Sequence, residues 1–176
     1  MRRIRNLALM GFMGTGKSSV GRIAAAELGF EFVDTDALVE KSAGQSIADC
    51  FAQQGEGAFR ALESAVVQAL APRERLVIAT GGGLVVTPGN LESLRAHALM
   101  VCLWAGPETI LRRTQHHTHR PLLMDADPLA KIRELLALRE PHYRRADIII
   151  NSDHRPLREV AQQVIHQFME SVAREA

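Results

Sequence analysis

Near the start of the chain, Gly11-Phe-Met-Gly-Thr-Gly-Lys-Ser18 combines the residue types and spacing that can cradle a polyphosphate. Gly11 and Gly16, then Lys17 and Ser18, fit the phosphate-loop pattern of two glycines separated by four residues and followed by Lys and Ser or Thr. Gly11, Gly14 and Gly16 let the backbone curl so that several N–H groups turn inward. Lys17 adds a mobile point charge for terminal phosphates, and the Ser18 hydroxyl can ligate a magnesium ion. Leu7 to Met10 is a short apolar run and Ser18 to Leu28 has a helical pattern. Strand, glycine loop and helix N-terminus thus follow in the order that makes an anion site.

Further along, Asp34-Thr-Asp36 ends a second strand-like run. In an extended segment residues two apart share a side, which would turn both carboxylates into the crevice at the strand ends. A helix N-cap with a surface charge is the alternative, and Asp36 could itself cap a following helix. The third run ends in Thr80-Gly81-Gly82-Gly83, where many phosphate-loop enzymes carry a magnesium-binding Asp. With none there, Asp34 is the nearest source of that carboxylate. Three successive glycines are either a plain turn or a place where a ligand must approach the backbone closely. Four arginines stand out further along the chain. Arg60 opens a helical stretch and Arg120 precedes Pro121-Leu122-Leu123. Arg139 sits near a helix end expected at Pro141, and Arg155 follows the last strand. Taken singly, each reads first as a solvated surface charge. His116, His117 and His119 lack an i, i+4 partnership and nearby Cys or Asp ligands, so they read as solvent-facing loop residues rather than a metal site.

The elements that must position these groups alternate along the chain. Strands are expected at Glu31–Val33, Leu76–Ala79, Leu99–Leu103 and Ile148–Ile150 besides the first. Helical patterns cover Ile47–Phe51, Phe59–Leu70, Leu91–His97, Ile110–Thr114, Leu129–Leu138 and Val160–Val172, the last with Val160, Val164, Ile165, Phe168 and Val172 as its core stripe. Such alternation argues for an α/β fold, a parallel sheet covered by helices on both faces. No repeat or interdomain linker divides the 176 residues, which are expected to form a single domain. Residues 114–128 lack an amphipathic period, and next to a phosphate loop such a stretch is expected to be a lid. Lys plus Arg exceed Asp plus Glu by only one, so no strong field favours nucleic acid or a membrane surface. Eighteen of the 21 cations are arginine, which suits two-point binding of carboxylate and phosphate. Cys50 and Cys102 lie in apolar elements without CxxC spacing and read as reduced packing residues. No run reaches membrane-spanning length and no cleavable leader is evident, so a cytoplasmic protein is expected.

Taken as an ordered series, these motifs resemble the shikimate kinase family across nearly the whole chain. The resemblance rests on the phosphate loop with Asp34-Thr-Asp36, Ser46-Ile47-Ala48-Asp49, Phe59-Arg60-x-x-Glu63, Gly81-Gly82-Gly83, Arg120-Pro121-Leu122-Leu123 and Arg139-x-Pro141-x-Tyr143. It implies a nucleoside-monophosphate-kinase-like three-layer fold with a five-stranded parallel sheet, a lid over about 114–128 and a small helical substrate-binding segment over about 34–64. It implies transfer of the ATP γ-phosphate to the 3-hydroxyl of shikimate, on the way to the aromatic amino acids. By motif, Gly14, Thr15, Gly16, Lys17, Ser18 and Ser19 would hold ATP, together with Arg120 from the lid and Arg155 near the adenine. Asp36, Arg60, Gly81, Gly82, Gly83 and Arg139 would hold shikimate, and Ser18 with Asp34 would hold Mg²⁺. Lys17, Asp36 and Arg120 would serve catalysis. Gln115-His116-His117 replaces the glycine-rich pair often found before the Arg-Pro motif. The expected partners are these small molecules, without nucleic acid or membrane, and the expected state is a monomer.

The chemistry of the residues agrees with that reading. Two arginines can pair one carboxylate, and an aspartate can accept hydrogen bonds from neighbouring hydroxyls. Rival readings are a gluconate-type small-metabolite kinase and a nucleotide-binding regulatory module without catalysis. A binding-only module needs no acceptor-site carboxylate, and a GTPase is disfavoured because no Asn-Lys-x-Asp segment occurs.

Overall fold

The structure, a computed structural model, describes residues 3–115 and 127–175. Among the described residues thirteen elements follow one another with the alternation expected. They are β1 (Asn6–Met10), α1 (Lys17–Leu28), β2 (Glu31–Asp34), α2 (Thr35–Ala43), α3 (Ile47–Leu70), β3 (Leu76–Ala79), a 3-10 turn (Leu84–Val86), α4 (Asn90–Arg95), β4 (Ala98–Trp104), α5 (Pro107–Thr114), α6 (Pro128–Tyr143), β5 (Ile148–Asn151) and α7 (Leu157–Glu175). The strands form one parallel sheet in the order β2-β3-β1-β4-β5. Because every strand runs the same way, the loops after β1, β2 and β3 emerge together at one edge, which is where ligands settle in such sheets.

Strand periodicity sorts the core into two layers. Leu7 and Leu9 of β1 face α1 and α7, packing with Val20, Ala24, Val160, Val164 and Phe168. Ala8 and Met10 face the other way, against residues of α2 to α6 that include Val39, Val67, Leu94, Ile110 and Ile132. Being buried on both faces, β1 and β3 read as unbroken apolar runs, as central parallel strands do. Cys50 and Cys102 are buried and free, and burial pushes the Cys102 thiol up to about 12.

Three local features depart from the sequence reading. First, β2 stops at Asp34 and α2 begins at Thr35, so Asp34 and Asp36 do not share the face of an extended segment. Asp34 is the N-cap of α2, its carboxylate accepting from Asp36 N at 3.1 Å, which is how a helix start satisfies an orphan N–H. Second, the helical stretches Ile47–Phe51 and Phe59–Leu70 belong to one element, α3, broken by a kink at Gly55 (φ 79°, ψ 174°). Third, Pro141 does not end its helix; α6 continues through it to Tyr143. The residues of the expected lid from 116 to 126, with Arg120, His116, His117 and His119, lie outside the described residues.

Candidate functional site

The phosphate loop leaves β1 at Gly11 and enters α1 at Lys17. Gly11 (φ 136°) is required twice over: its backbone is left-handed, and a Cβ there would collide with the Leu103 carbonyl of β4. Thr15, fully buried, donates from Oγ1 to Phe12 O at 2.8 Å and pins the curl from inside. Lys17 Nζ donates to Gly11 O and Phe12 O, both at 2.9 Å, so its ammonium is held within the loop. The first turn of α1 has no acidic residue and Gly16 supplies no side-chain cap. The positive end of the helix is thus left for an external anion. Ser18 and Ser19 stand exposed in that first turn.

Ser18 Oγ donates to Asp34 Oδ2 at 2.9 Å, so the hydroxyl after the loop lysine and the carboxylate at the end of β2 stand side by side. A hydroxyl beside a carboxylate is the oxygen donor set a Mg²⁺ ion takes, its other positions filled by water and phosphate. The capping role of Asp34 leaves its Oδ2 facing Ser18, since it is the other oxygen, Oδ1, that caps α2.

The triple glycine after β3 explains the rest of the site. None of Gly81, Gly82 and Gly83 is among the glycines with positive φ, so conformation does not demand them. Space does. A Cβ on Gly81 would collide with Asp36 Oδ1 and lie 3.4 Å from Glu63 Oε1; one on Gly82 would lie 3.5 Å from Arg139 Nη1; one on Gly83 would lie 3.0 Å from Arg60 Nη1. Gly81 makes room for Asp36 and Gly83 for Arg60, whereas a Cβ on Gly82 would stand in ordinary contact with Arg139; these are the three side chains expected to hold the substrate. The close approach inferred from the sequence is thus made by the protein's own charged groups. Gly82 also borders the phosphate loop, its Cβ position lying 3.5 Å from Met13 N. Thr35 Oγ1 accepts from Gly81 N at 2.8 Å, tying the turn to the start of α2.

Arg60 lies on α3, five residues beyond the kink, and pairs with Glu63 at 2.7 Å and Glu56 at 3.0 Å. Burial lowers the guanidinium's pKa, but the two carboxylates outweigh it and raise it above its ordinary value. Glu63 is almost fully buried. Burial pushes its pKa up, Arg60 pulls it down, and nearby Asp36 pushes it up again, leaving it above the usual carboxylate value. Sequence reading used Glu63 only as a motif letter; its place is the strut that sets the Arg60 guanidinium against Gly83. Arg139, on α6, rests over the Phe12 ring at 5.3 Å, which binds α6 to the phosphate loop through a cation–π contact.

Two groups were not singled out by the sequence reading. Arg113 of α5 donates to Gly14 O at 3.3 Å and to Ser152 O at 2.7 Å. Buried Ser152, after β5, donates to Thr15 O at 3.0 Å. Together they brace the phosphate loop from β5 and α5, and a lone Arg and Ser carry no sequence signal for it. Arg155, expected near the adenine, stands in the same connection but pairs with Gln163 Oε1 at 2.6 Å on α7. Among the described residues no group of three or more His, Cys, Asp or Glu side chains could hold a metal by itself, and no helix is long and apolar enough to cross a membrane.

Comparison with known proteins agrees with this fold. The shikimate kinase family model matches residues 13–169. A shikimate kinase of Caldanaerobacter subterraneus subsp. tengcongensis is 47% identical over 166 residues, covering 94% of this chain and 97% of the relative. The solved shikimate kinase from Acinetobacter baumannii in complex with shikimate superposes with a TM-score of 0.91 at 37% identity, covering 97% of this chain and 96% of that one. A gluconokinase from Sinorhizobium meliloti, at 20% identity and a TM-score of 0.64, shares the fold alone. With its phosphate loop and triple-glycine turn set at one edge of a parallel sheet, and with relatives of that identity along nearly its full length, this chain belongs to the shikimate kinase family.

Proposed function

We infer that the chain transfers the γ-phosphate of ATP to the 3-hydroxyl of shikimate, giving shikimate 3-phosphate and ADP, a step of chorismate and aromatic amino acid biosynthesis. The observation that carries the reading is the meeting of Asp36, Arg139 and Arg60 on Gly81, Gly82 and Gly83, beside the phosphate loop. That arrangement puts one carboxylate and two guanidiniums where an acceptor bearing hydroxyls and a carboxylate would sit, next to the anion site.

Roles follow from chemistry. The N-terminus of α1 and the loop glycines take the phosphates of ATP, and Lys17 neutralises charge on the transferring group. Arg60 and Arg139 clamp the shikimate carboxylate through charge-assisted hydrogen bonds. Asp36 orients the 3-hydroxyl and receives its proton as the new oxygen–phosphorus bond forms and the bond to ADP breaks. Ser18 and Asp34 would hold Mg²⁺, which when bound supplies charge neutralisation at the phosphates. Arg120 would contribute a further cation from the lid over about 114–128, and Arg155 would lie on the nucleotide side. The small helical segment over about 34–64 supplies Asp36 and Arg60. The working unit is a single domain acting as a monomer in the cytoplasm.

The deciding experiment is a coupled ADP-release assay with ATP and Mg²⁺, run with shikimate, with gluconate and with neither. Turnover that depends on shikimate is expected. Equal turnover with gluconate would favour the small-metabolite alternative, and no turnover with either would favour a regulatory module. Asp34→Asn should shift the Mg²⁺ titration to higher concentration; an unchanged titration would leave Asp34 with its capping role only.

A further inference from the structure

We propose that Tyr143 is a positioning residue for the acceptor half of the site, its phenol setting the plane of the Gly82–Gly83 peptide. The inference rests on the function proposed above. Tyr143 is 1% exposed and donates to Gly82 O at 2.6 Å. Burial pushes its pKa up to about 12, against the pull of the nearby Arg139 guanidinium, so the phenol keeps its proton and remains a donor throughout the working pH range.

The hydrogen bonds of the triple-glycine turn show why this bond matters. Gly81 N donates to Thr35 Oγ1, Gly81 O accepts from Leu84 N, and Gly83 O accepts from Val86 N. Gly82 O is taken by Tyr143. What remains is a pair of donors, the N–H groups of Gly82 and Gly83, which find no acceptor among the described residues. In a trans peptide the C=O and the following N–H point in opposite directions. Holding Gly82 O toward Tyr143 therefore turns the Gly83 N–H away from it. Consecutive backbone donors of this kind form a concavity for oxygen ligands. Glycine has no side chain to resist a peptide rotation, so the plane must be set from outside the turn.

The same bond sets a second distance. Arg139 and Tyr143 are four residues apart on α6 and so lie on one face of it. Between them Pro141 lacks an N–H, so the last turn of α6 loses one rung of its own ladder. The phenol replaces that lost tie with one to the turn itself, joining Arg139 and the Gly82–Gly83 donors into one unit.

Tyr143→Phe keeps the buried ring and removes only the donor. Steady-state kinetics should show kcat/KM for shikimate falling about tenfold, equivalent to ~1.4 kcal/mol, while KM for ATP stays within about twofold. Val164→Ala, in the core on the opposite face of the sheet, serves as the comparison for lost stability without lost geometry. A Tyr143→Phe protein that melts earlier but keeps wild-type kinetics overturns the proposal, and so does an equal loss toward both substrates. Wild-type protein without shikimate-dependent turnover would instead overturn the functional reading. The chain contains a single tyrosine, so growth on 3-fluorotyrosine labels Tyr143 alone and needs no mutation. Its fluorine resonance should shift on adding shikimate, with binding verified by calorimetry; an unmoved resonance at saturation overturns the proposal even where Tyr143→Phe does not fold.

Discussion

At the residue scale, two positions separate charge from shape. Lys17 donates to two carbonyls of its own loop, so its removal takes away a cation and a brace together. Lys17→Ala should stay folded, because the rest of the curl is pinned by Thr15, Gly11 and the Arg113–Ser152 brace. Turnover should fall on the order of 10³-fold, the scale seen when a cation on the transferring phosphoryl group is lost. A folded Lys17→Ala protein with near-normal shikimate-dependent ADP release would remove the phosphate-loop lysine from the mechanism. Gly81→Ala tests shape instead. Its φ is not in the left-handed region, so the backbone accepts alanine, but the new methyl collides with Asp36 Oδ1. Displacing the group proposed to orient the hydroxyl should lower kcat by roughly 10²-fold or more while ATP affinity is kept. Wild-type kcat in that variant would mean Asp36 moves without consequence.

At the element scale, the kink in α3 decides where Arg60 and Glu63 fall. Gly55 has φ 79° and ψ 174°, a conformation nearly reserved for glycine, and a Cβ there would meet nothing within 4 Å. Gly55→Ala therefore adds backbone strain without a clash, costing about 1–3 kcal/mol if the kink persists. At roughly 2–4 °C per kcal/mol for a chain of this size, thermal melting should report it directly. Straightening of α3 would relieve the strain but re-aim Arg60, and shikimate KM would then rise with ATP KM unchanged. Either melting or shikimate KM should move. A variant with neither change would show that the kink is not needed.

At the scale of the whole molecule, the site edge of the sheet is kept apart from a polar seam at the opposite edge. There buried Asn6 donates from Nδ2 to Arg73 O at 2.8 Å and bonds His97 Nδ1 at 2.9 Å, while its Oδ1 accepts from Leu76 N at 2.8 Å. One asparagine thereby joins β1, β3 and the start of β4. Since the amide donates to Nδ1, the imidazole must be neutral to accept. Burial, helped by the Arg5 charge, lowers the His97 pKa below its ordinary value. A lowered pKa means the unfolded chain binds a proton first as pH falls. Stability should be complete above about pH 6.5, the unfolded value, and should decline as pH drops from there toward the folded value. Melting between pH 7.5 and pH 5.5 checks this, and His97→Asn should flatten the slope in that window. An equally steep slope in His97→Asn would assign the acid sensitivity to other groups.

Much of this protein was legible in one dimension. Central strands buried on both faces appear as short apolar runs, as β3 and β4 do; the edge strands β2 and β5 are also legible within one residue at either end, and the phosphate loop is a local motif whose curl its own glycines permit. Three things needed the fold. The start of α2 at Thr35 was hidden because Asp34 serves at once as strand end, helix cap and partner of Ser18 from α1. The continuation of α6 past Pro141 carries Tyr143 to a turn 61 residues away in sequence, a contact that exists only once β3 and α6 are packed together. The purpose of Gly81, Gly82 and Gly83 was the least legible. A glycine chosen for its φ leaves a trace in turn chemistry, whereas a glycine chosen for the space above it, as Gly81 and Gly83 are, records the position of Asp36 or Arg60. Those positions exist only when α2 and α3 close over the ends of the sheet.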